Sequence, residues 1–191
     1  MLSPSSEDIV TRFHSLVAVA AIAITTPAFA APSPTLDSSG GTGKTVILSP
    51  LNFINDTNLN FGDVVLPVGV AGSVTIDPDP TVISFMTATG VQPIPTSVPT
   101  RGLMIGAGSA NMDVSVTTSF PTALYLGGNP FAASLPVSLN VNATAVSPNT
   151  YTYTIDSGQA FQVFIGGTVN IPVNTVDGAY SNTYTVTATY P

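Results

Sequence analysis

Gly178-Ala-Tyr-Ser-Asn-Thr-Tyr-Thr-Val-Thr-Ala-Thr-Tyr190 is the stretch that fixes the fold class. Tyr184, Val186, Ala188 and Tyr190 fall on one face and Thr183, Thr185, Thr187 and Thr189 on the other, the period of two of a half-buried β-strand. β-Branched and aromatic side chains suit that pleated setting. Only Pro191 follows. A strand of this kind has to be paired, because a long unpaired edge invites aggregation. What pairs with it is the functional question.

The composition extends the same reading to the whole chain. The 191 residues are 44% hydrophobic, enough for one compact domain. Charged residues make up only 7%, with a net charge of −7, which disfavours nucleic acid or an anionic membrane surface as a partner. Solubility must rest on Thr, Ser and Asn, as in an extracellular all-β domain. Cysteine is absent, so the core and the strand ladders hold the fold without disulfides.

The front of the chain has the form of an export signal. Arg12 and His14 precede the apolar run from Leu16 to Ile24, and Ala28-Phe29-Ala30 supplies small residues for cleavage before Ala31. The run is too short to span a bilayer. Residues 1–30 are therefore expected to be a signal peptide, 31–43 a Pro/Gly/Ser-rich flexible extension and 44–191 the folded domain. No membrane insertion is expected once the leader is removed.

Along that domain, short strands alternate with turn signals. Thr45–Leu48 and Leu51–Ile54 form one strand broken at Pro50, and Leu59–Leu66 forms another with Gly62 at a bulge or close approach. Ser73–Ile76 turns at Asp77-Pro-Asp-Pro80 and returns through Thr81–Thr87. Pro93, Pro95 and Pro99 make 89–100 a loop or edge excursion. Strands resume at Leu103, Met112–Thr117, Thr122–Leu126 and Leu135–Val141. Thr150–Ile155, Ala160–Ile165 and Thr168–Val173 follow, the last two separated by Gly166-Gly167. Helical periodicity is missing after the leader. The pattern predicts an all-β, immunoglobulin-like β-sandwich with Greek-key connections. Its expected core is Phe61, Val74, Ile76, Phe85, Val114, Leu139, Val141, Phe161, Val163, Tyr184 and Val186.

Catalytic material is scarce. His14 and Glu7, the one histidine and the one glutamate, lie in the leader, so Ser-His-Asp and Cys-His machinery cannot be assembled in residues 31–191. The aspartates sit mostly beside Gly or Pro, where turn capping accounts for them better than a glycosidase pair. Asp77 and Asp79 have the spacing of two calcium ligands, yet no further acidic ligands follow. Gly40-Gly-Thr-Gly43 and Gly102–Gly108 lack the Lys-Ser/Thr of a phosphate loop. No enzyme, cofactor or metal site is expected.

Two resemblances sharpen this. Asp156–Pro172, taken with Asp177–Tyr190 and with Leu59-Asn-Phe-Gly-Asp-Val64, resembles the bacterial DUF4402 domain family, whose name carries no established activity. The end of the chain is also similar to chaperone–usher pilus subunits and spore-coat-U-like proteins, with Tyr190 penultimate and Gly178 fourteenth from the end. That likeness implies an open groove beside the C-terminal strand, filled by a strand from a periplasmic chaperone or a like subunit. The implied edge residues are Gly178, Tyr180, Tyr184, Val186, Ala188 and Tyr190. Ala31–Gly43 lacks the apolar alternation of a donor strand, which leaves Val46 and Leu48 as the candidate donor segment or as part of the domain's own first strand.

Function then divides into readings. A non-enzymatic, fimbrial-subunit-like structural or adhesive protein, secreted to the periplasm or cell surface of a bacterium, would keep that edge open. A self-contained secreted sandwich would pair it on both sides and bind a ligand or surface through its loops. An eight-stranded outer-membrane barrel is opposed by strands too short for a bilayer and by their prolines.

Overall fold

Fourteen β-strands and no helix occur among the described residues, 45 and 47–191, of the computed structural model. In chain order they are β1 (Asn52–Thr57), β2 (Val64–Val65), β3 (Gly72–Ile76), β4 (Met86–Thr89), β5 (Gln92–Pro93), β6 (Gly102–Ala107) and β7 (Asp113–Ser119). The remainder are β8 (Ala123–Leu126), β9 (Ser134–Val141), β10 (Ala145–Ser147), β11 (Thr150–Thr154), β12 (Ala160–Ile171), β13 (Tyr180–Ser181) and β14 (Thr185–Thr189). The expected signal peptide, the 31–43 extension and Val46 of the expected donor segment lie outside the described residues.

The fold is all-β, as predicted, and two sheets face each other across its main core. One runs β1-β6-β12-β9-β8-β13, and the other runs β10-β11-β7-β14. Phe161, Val163 and Ile165 from β12, Met104 from β6 and Val141 from β9 meet Val114 and Val116 from β7 and Ile155 after β11. These side chains are the inward members of alternating runs, so the period of two delivers them to a common interior. Consecutive strands β6 and β7 go to opposite sheets, as do β11 and β12, the crossed connectivity of a Greek-key sandwich.

Aromatic rings fill the space that one glycine makes. Phe53 and Phe161 lie opposite Gly106 on either side, and their rings stack with centroids 5.7 Å apart. A Cβ on Gly106 would stand 2.1 Å from the Phe161 ring. The missing side chain is what lets two rings close over β6.

β12 is the spine. Residues 160–165 pair with β6 and residues 167–171 with β3 along one edge, while β9 pairs with residues 165–169 along the other. The predicted turn at Gly166-Gly167 is therefore wrong, and the chain continues as one strand of 12 residues. The glycines serve close approach instead. A Cβ on Gly166 would lie 2.2 Å from the Ile76 carbonyl oxygen, and one on Gly167, whose φ is +146°, would lie 2.2 Å from the Ser138 carbonyl oxygen.

Beyond those glycines a second core gathers Val74, Val91, Leu135, Val137, Val169 and Ile171. No full sheet covers it. The β2–β5 ribbon has only two pairs, Val64 with Pro93 and Val65 with Gln92, which is what remains of the predicted strand at Leu59–Leu66. Gly62 takes φ +79° in a turn held by the Asn60 side chain, with Gly62 N–H donating to Asn60 Oδ1 at 3.0 Å.

Three other expectations need correction. The return strand after Asp77-Pro-Asp-Pro80 starts at Met86, not Thr81, because Asp77 and Asp79 accept backbone N–H groups and hold 77–81 as turns. Phe85 is not core: it is half-buried under Arg101, whose guanidinium carbon lies 4.3 Å from the ring centroid. The first strand begins at Asn52, so Leu48 lies outside it. Of the expected core, Val74, Ile76, Val114, Val141, Phe161 and Val163 are buried, while Phe61, Leu139, Tyr184 and Val186 pack half-buried against it.

Candidate functional site

The predicted C-terminal strand is split. Tyr180–Ser181 forms β13 and pairs with β8, and the chain then crosses to the other sheet, where Thr185–Thr189 pairs with β7. Asn182 makes the crossing by donating from Nδ2 to the Ala123 carbonyl and accepting from Thr183 N–H. From Tyr184 onward the predicted alternation holds, with Tyr184, Val186, Ala188 and Tyr190 half-buried and the threonines exposed.

Of the six expected edge residues, four therefore lie together on β14 and its ends. Gly178 and Tyr180 belong to the other half of the molecule. Gly178, with φ +147°, precedes β13 rather than β14, and a Cβ there would meet Leu126 Cδ1 at 2.4 Å. Tyr180 packs on the second core and donates its hydroxyl to the Val176 carbonyl at 2.7 Å.

β14 pairs with β7 alone, so among the described residues its second backbone edge has no partner. Its register with β7 runs without a shift for all 5 residues, roughly 17 Å of regular strand. Other edges are blunted. β1 is bulged between Asn55 and Thr57 and carries Asp56, and β10 is bulged and has 3 residues. β4 and β13 have 4 and 2 residues. Charge, bulges and brevity are the usual protections of an edge, and β14, built from Thr, Val and Ala, has none of them.

Two tyrosines bracket the edge strand. β1 and β14 run past each other in opposite directions, with Tyr190 at one end and Tyr184 at the other. The Tyr190 hydroxyl donates to the Ser49 carbonyl at 2.8 Å and accepts from Ser109 N–H at 2.7 Å, joining the approach to β1, the β6–β7 turn and the end of β14. Tyr184 packs edge-on against Phe120 at 6.0 Å and points its hydroxyl at Gly102, close to Leu59. Between them Phe53, Val186 and Ala188 are only half-buried. Leu48, the described member of the expected donor pair, is also half-buried and sits beside Ser49 at the Tyr190 end.

Polar groups beside β14 are left unsatisfied. Thr118, directly across from Val186, is 3% exposed with no partner for its hydroxyl, and the Tyr184 hydroxyl is buried without one. Such groups cost about 1–3 kcal/mol each and are uncommon in a finished interior. Burial pushes the Tyr184 pKa up; the Leu59 backbone opposes the shift without closing a hydrogen bond of acceptable geometry. Burial raises Tyr153 too, and its hydroxyl donates to Asn142 Oδ1.

A cavity of about 570 Å³ opens at the Tyr184 end, and sequence reasoning missed it. Its floor is the sheet face of Val74, Leu135, Val169 and Ile171, walled by residues 59–64 and 178–184. Residues from six separate stretches of the chain meet there, so no local pattern announces it. Asp77 and Asp79 lie elsewhere: Asp79 N–H donates to Asp77 Oδ1, and Thr81 N–H and hydroxyl donate to Asp79 Oδ1, lowering its pKa. Those carboxylate oxygens cap turns.

No curated protein and no solved structure matches the chain. The model of the Domain of unknown function (DUF4402) matches residues 51–190, a span that includes every strand from β1 to β14 and the Tyr190 contact. The chain belongs to the DUF4402 family.

Proposed function

We propose that the chain is a non-enzymatic structural protein of the bacterial periplasm or cell surface, fimbrial-subunit-like, that assembles or adheres by accepting a β-strand along β14. The observation that carries this is the unprotected, uncharged edge of β14 beside a half-buried apolar row. An added strand gains main-chain hydrogen bonds from the edge, and its alternate side chains gain apolar contact from Val186 and Ala188. The partners are like subunits or a periplasmic chaperone. Val46 and Leu48 are the proposed donor residues, since Leu48 precedes Ser49, whose carbonyl accepts from the Tyr190 hydroxyl at the end of β14. Residues 31–191 hold no histidine, cysteine or glutamate, which supports the non-enzymatic reading. A second reading, a self-contained sandwich that binds a ligand through its loops, draws support from the cavity at Tyr184.

Exported protein run unboiled on SDS gels tests the first reading. Wild type is expected to ladder as resistant multimers. Ala188→Lys, which sets a charge on the inward face of the edge, is expected to run as monomer with a cooperative melt. Wild-type protein that stays monomeric at high concentration would refute strand addition between like subunits.

A further inference from the structure

We infer that the cavity beside Tyr184 binds an uncharged or cationic small amphipathic molecule. A volume of about 570 Å³ falls within the range of small-molecule sites, about 300–1,000 Å³. It exceeds the needs of one side chain and is too small for a folded partner. The shape is held before any ligand arrives: Asn60 and Thr100 exchange backbone hydrogen bonds at 2.9 Å, and Asn182 Nδ2 is fixed on the Ala123 carbonyl. The rim amides of Asn60, Asn182 and the Tyr180 hydroxyl spend their hydrogen bonds on the protein's own backbone. Tyr184 also lines the cavity, but its hydroxyl is buried from solvent. The exposed side chains of Asp63 and Ser181 are the polar groups of the lining left for a ligand atom to meet.

Charge selects among ligands. Asp63 is the one charged side chain among the described lining residues. The described cation Arg101 is committed to the carbonyls of Asp77 and Val82 at 2.6 Å each. An anionic head group, such as a fatty-acid carboxylate or a phosphate, finds no countercharge among the described lining residues and meets Asp63 instead. A neutral or cationic head group meets no such penalty.

Two fluorescent probes that share an aromatic body test this on the purified exported chain: uncharged N-phenyl-1-naphthylamine, and 8-anilino-1-naphthalenesulfonate, which adds a sulfonate. The uncharged probe is expected to bind saturably at one site, at least about tenfold more tightly than the sulfonate. Leu124→Trp, which fills the cavity, is expected to weaken the uncharged probe by about tenfold or more. Asp63→Lys, at an exposed position, is expected to raise sulfonate affinity about tenfold. The inference is overturned by absence of saturable binding, or by equal affinities that ignore Asp63→Lys. It does not rest on the strand-addition reading, because a chain that never forms multimers would still bind the uncharged probe.

Discussion

The two halves of β12 are built from similar residues and end in different states. Residues 160–165 lie under a complete second sheet, and Val163 and Ile165 are fully buried there. Residues 167–171 lie under a ribbon of two residue pairs and loops, and a cavity remains over Val169 and Ile171. Both halves are buried, Val169 at 4% and Ile171 at 6% exposure, so the strand supplies the inward face and the covering layer decides whether a cavity remains above it. A period-2 apolar row guarantees an inward face, but only a matching face across it closes the core. Tyr184 stands where the closed half gives way to the open one, lining the cavity and heading the free edge of β14.

The junction between the halves is where substitution should cost most. Gly167→Ala puts a Cβ against the Ser138 carbonyl at a φ that L residues rarely adopt, so it is expected to lose about 4 kcal/mol or more and to abolish a cooperative melt. A normal melting curve in that variant would mean that β12 does not run straight through its glycines.

Next in size is the contrast between the cores. Phe161→Ala in the closed half, where the ring is packed between Phe53 and Tyr153, should destabilise by about 3–5 kcal/mol. Leu139→Ala, beside an existing cavity, should cost about 2 kcal/mol, the low end for such truncations. Urea denaturation of both variants decides it, and equal losses would erase the distinction between the halves.

Much of this was legible in the sequence, and the failures have physical causes. Strands at Ser73–Ile76, Leu135–Val141 and Thr150–Thr154 were readable because each alternates a more buried with a more exposed face, which is what alternation reports. Gly166-Gly167 misled because a glycine needed for close backbone approach looks the same in sequence as a glycine needed for a turn. The stretch from Gly178 to Tyr190 misled in a second way. Tyr180 and Tyr184 keep the same parity, yet the chain changes sheets between them at Asn182, and parity carries no information about which sheet a residue joins. Phe85 fits the alternation, but its partner is the Arg101 guanidinium, a contact visible only in three dimensions. The lack of charge and internal proline in β14 was readable in the sequence, whereas its lack of a bulge was not.

Smaller effects separate the two tyrosines that end β14. Tyr190→Phe removes a donated and an accepted hydrogen bond and should cost about 1–2 kcal/mol. Tyr184→Phe removes a hydroxyl with no partner and should be neutral or slightly stabilising. Thermal melts of the pair test the asymmetry directly, and a larger loss from Tyr184→Phe would contradict it.

The smallest effect is acid dependence at Asp79. Its carboxyl is held below the ordinary value of 3.8, first by the Thr81 backbone N–H, so its contribution is present above pH 3.8 and is lost as pH falls through the lower folded-state value. Because the group is fully exposed, Asp79→Asn should alter only the acid limb of a stability-against-pH curve, and only slightly. A change at neutral pH in the steepness of that curve would point to another group.

Residue-resolved amide hydrogen exchange on the purified chain tests the free edge most directly. In the monomer, the Thr185–Thr189 amides that face away from β7 are expected to exchange freely, while the inward amides of β7 and β12 are protected. In isolated multimers those same β14 amides should slow by about a hundredfold or more, with β10 unchanged. If every β14 amide is already protected in the monomer, or if none slows in the multimer, β14 is not the edge that accepts a strand.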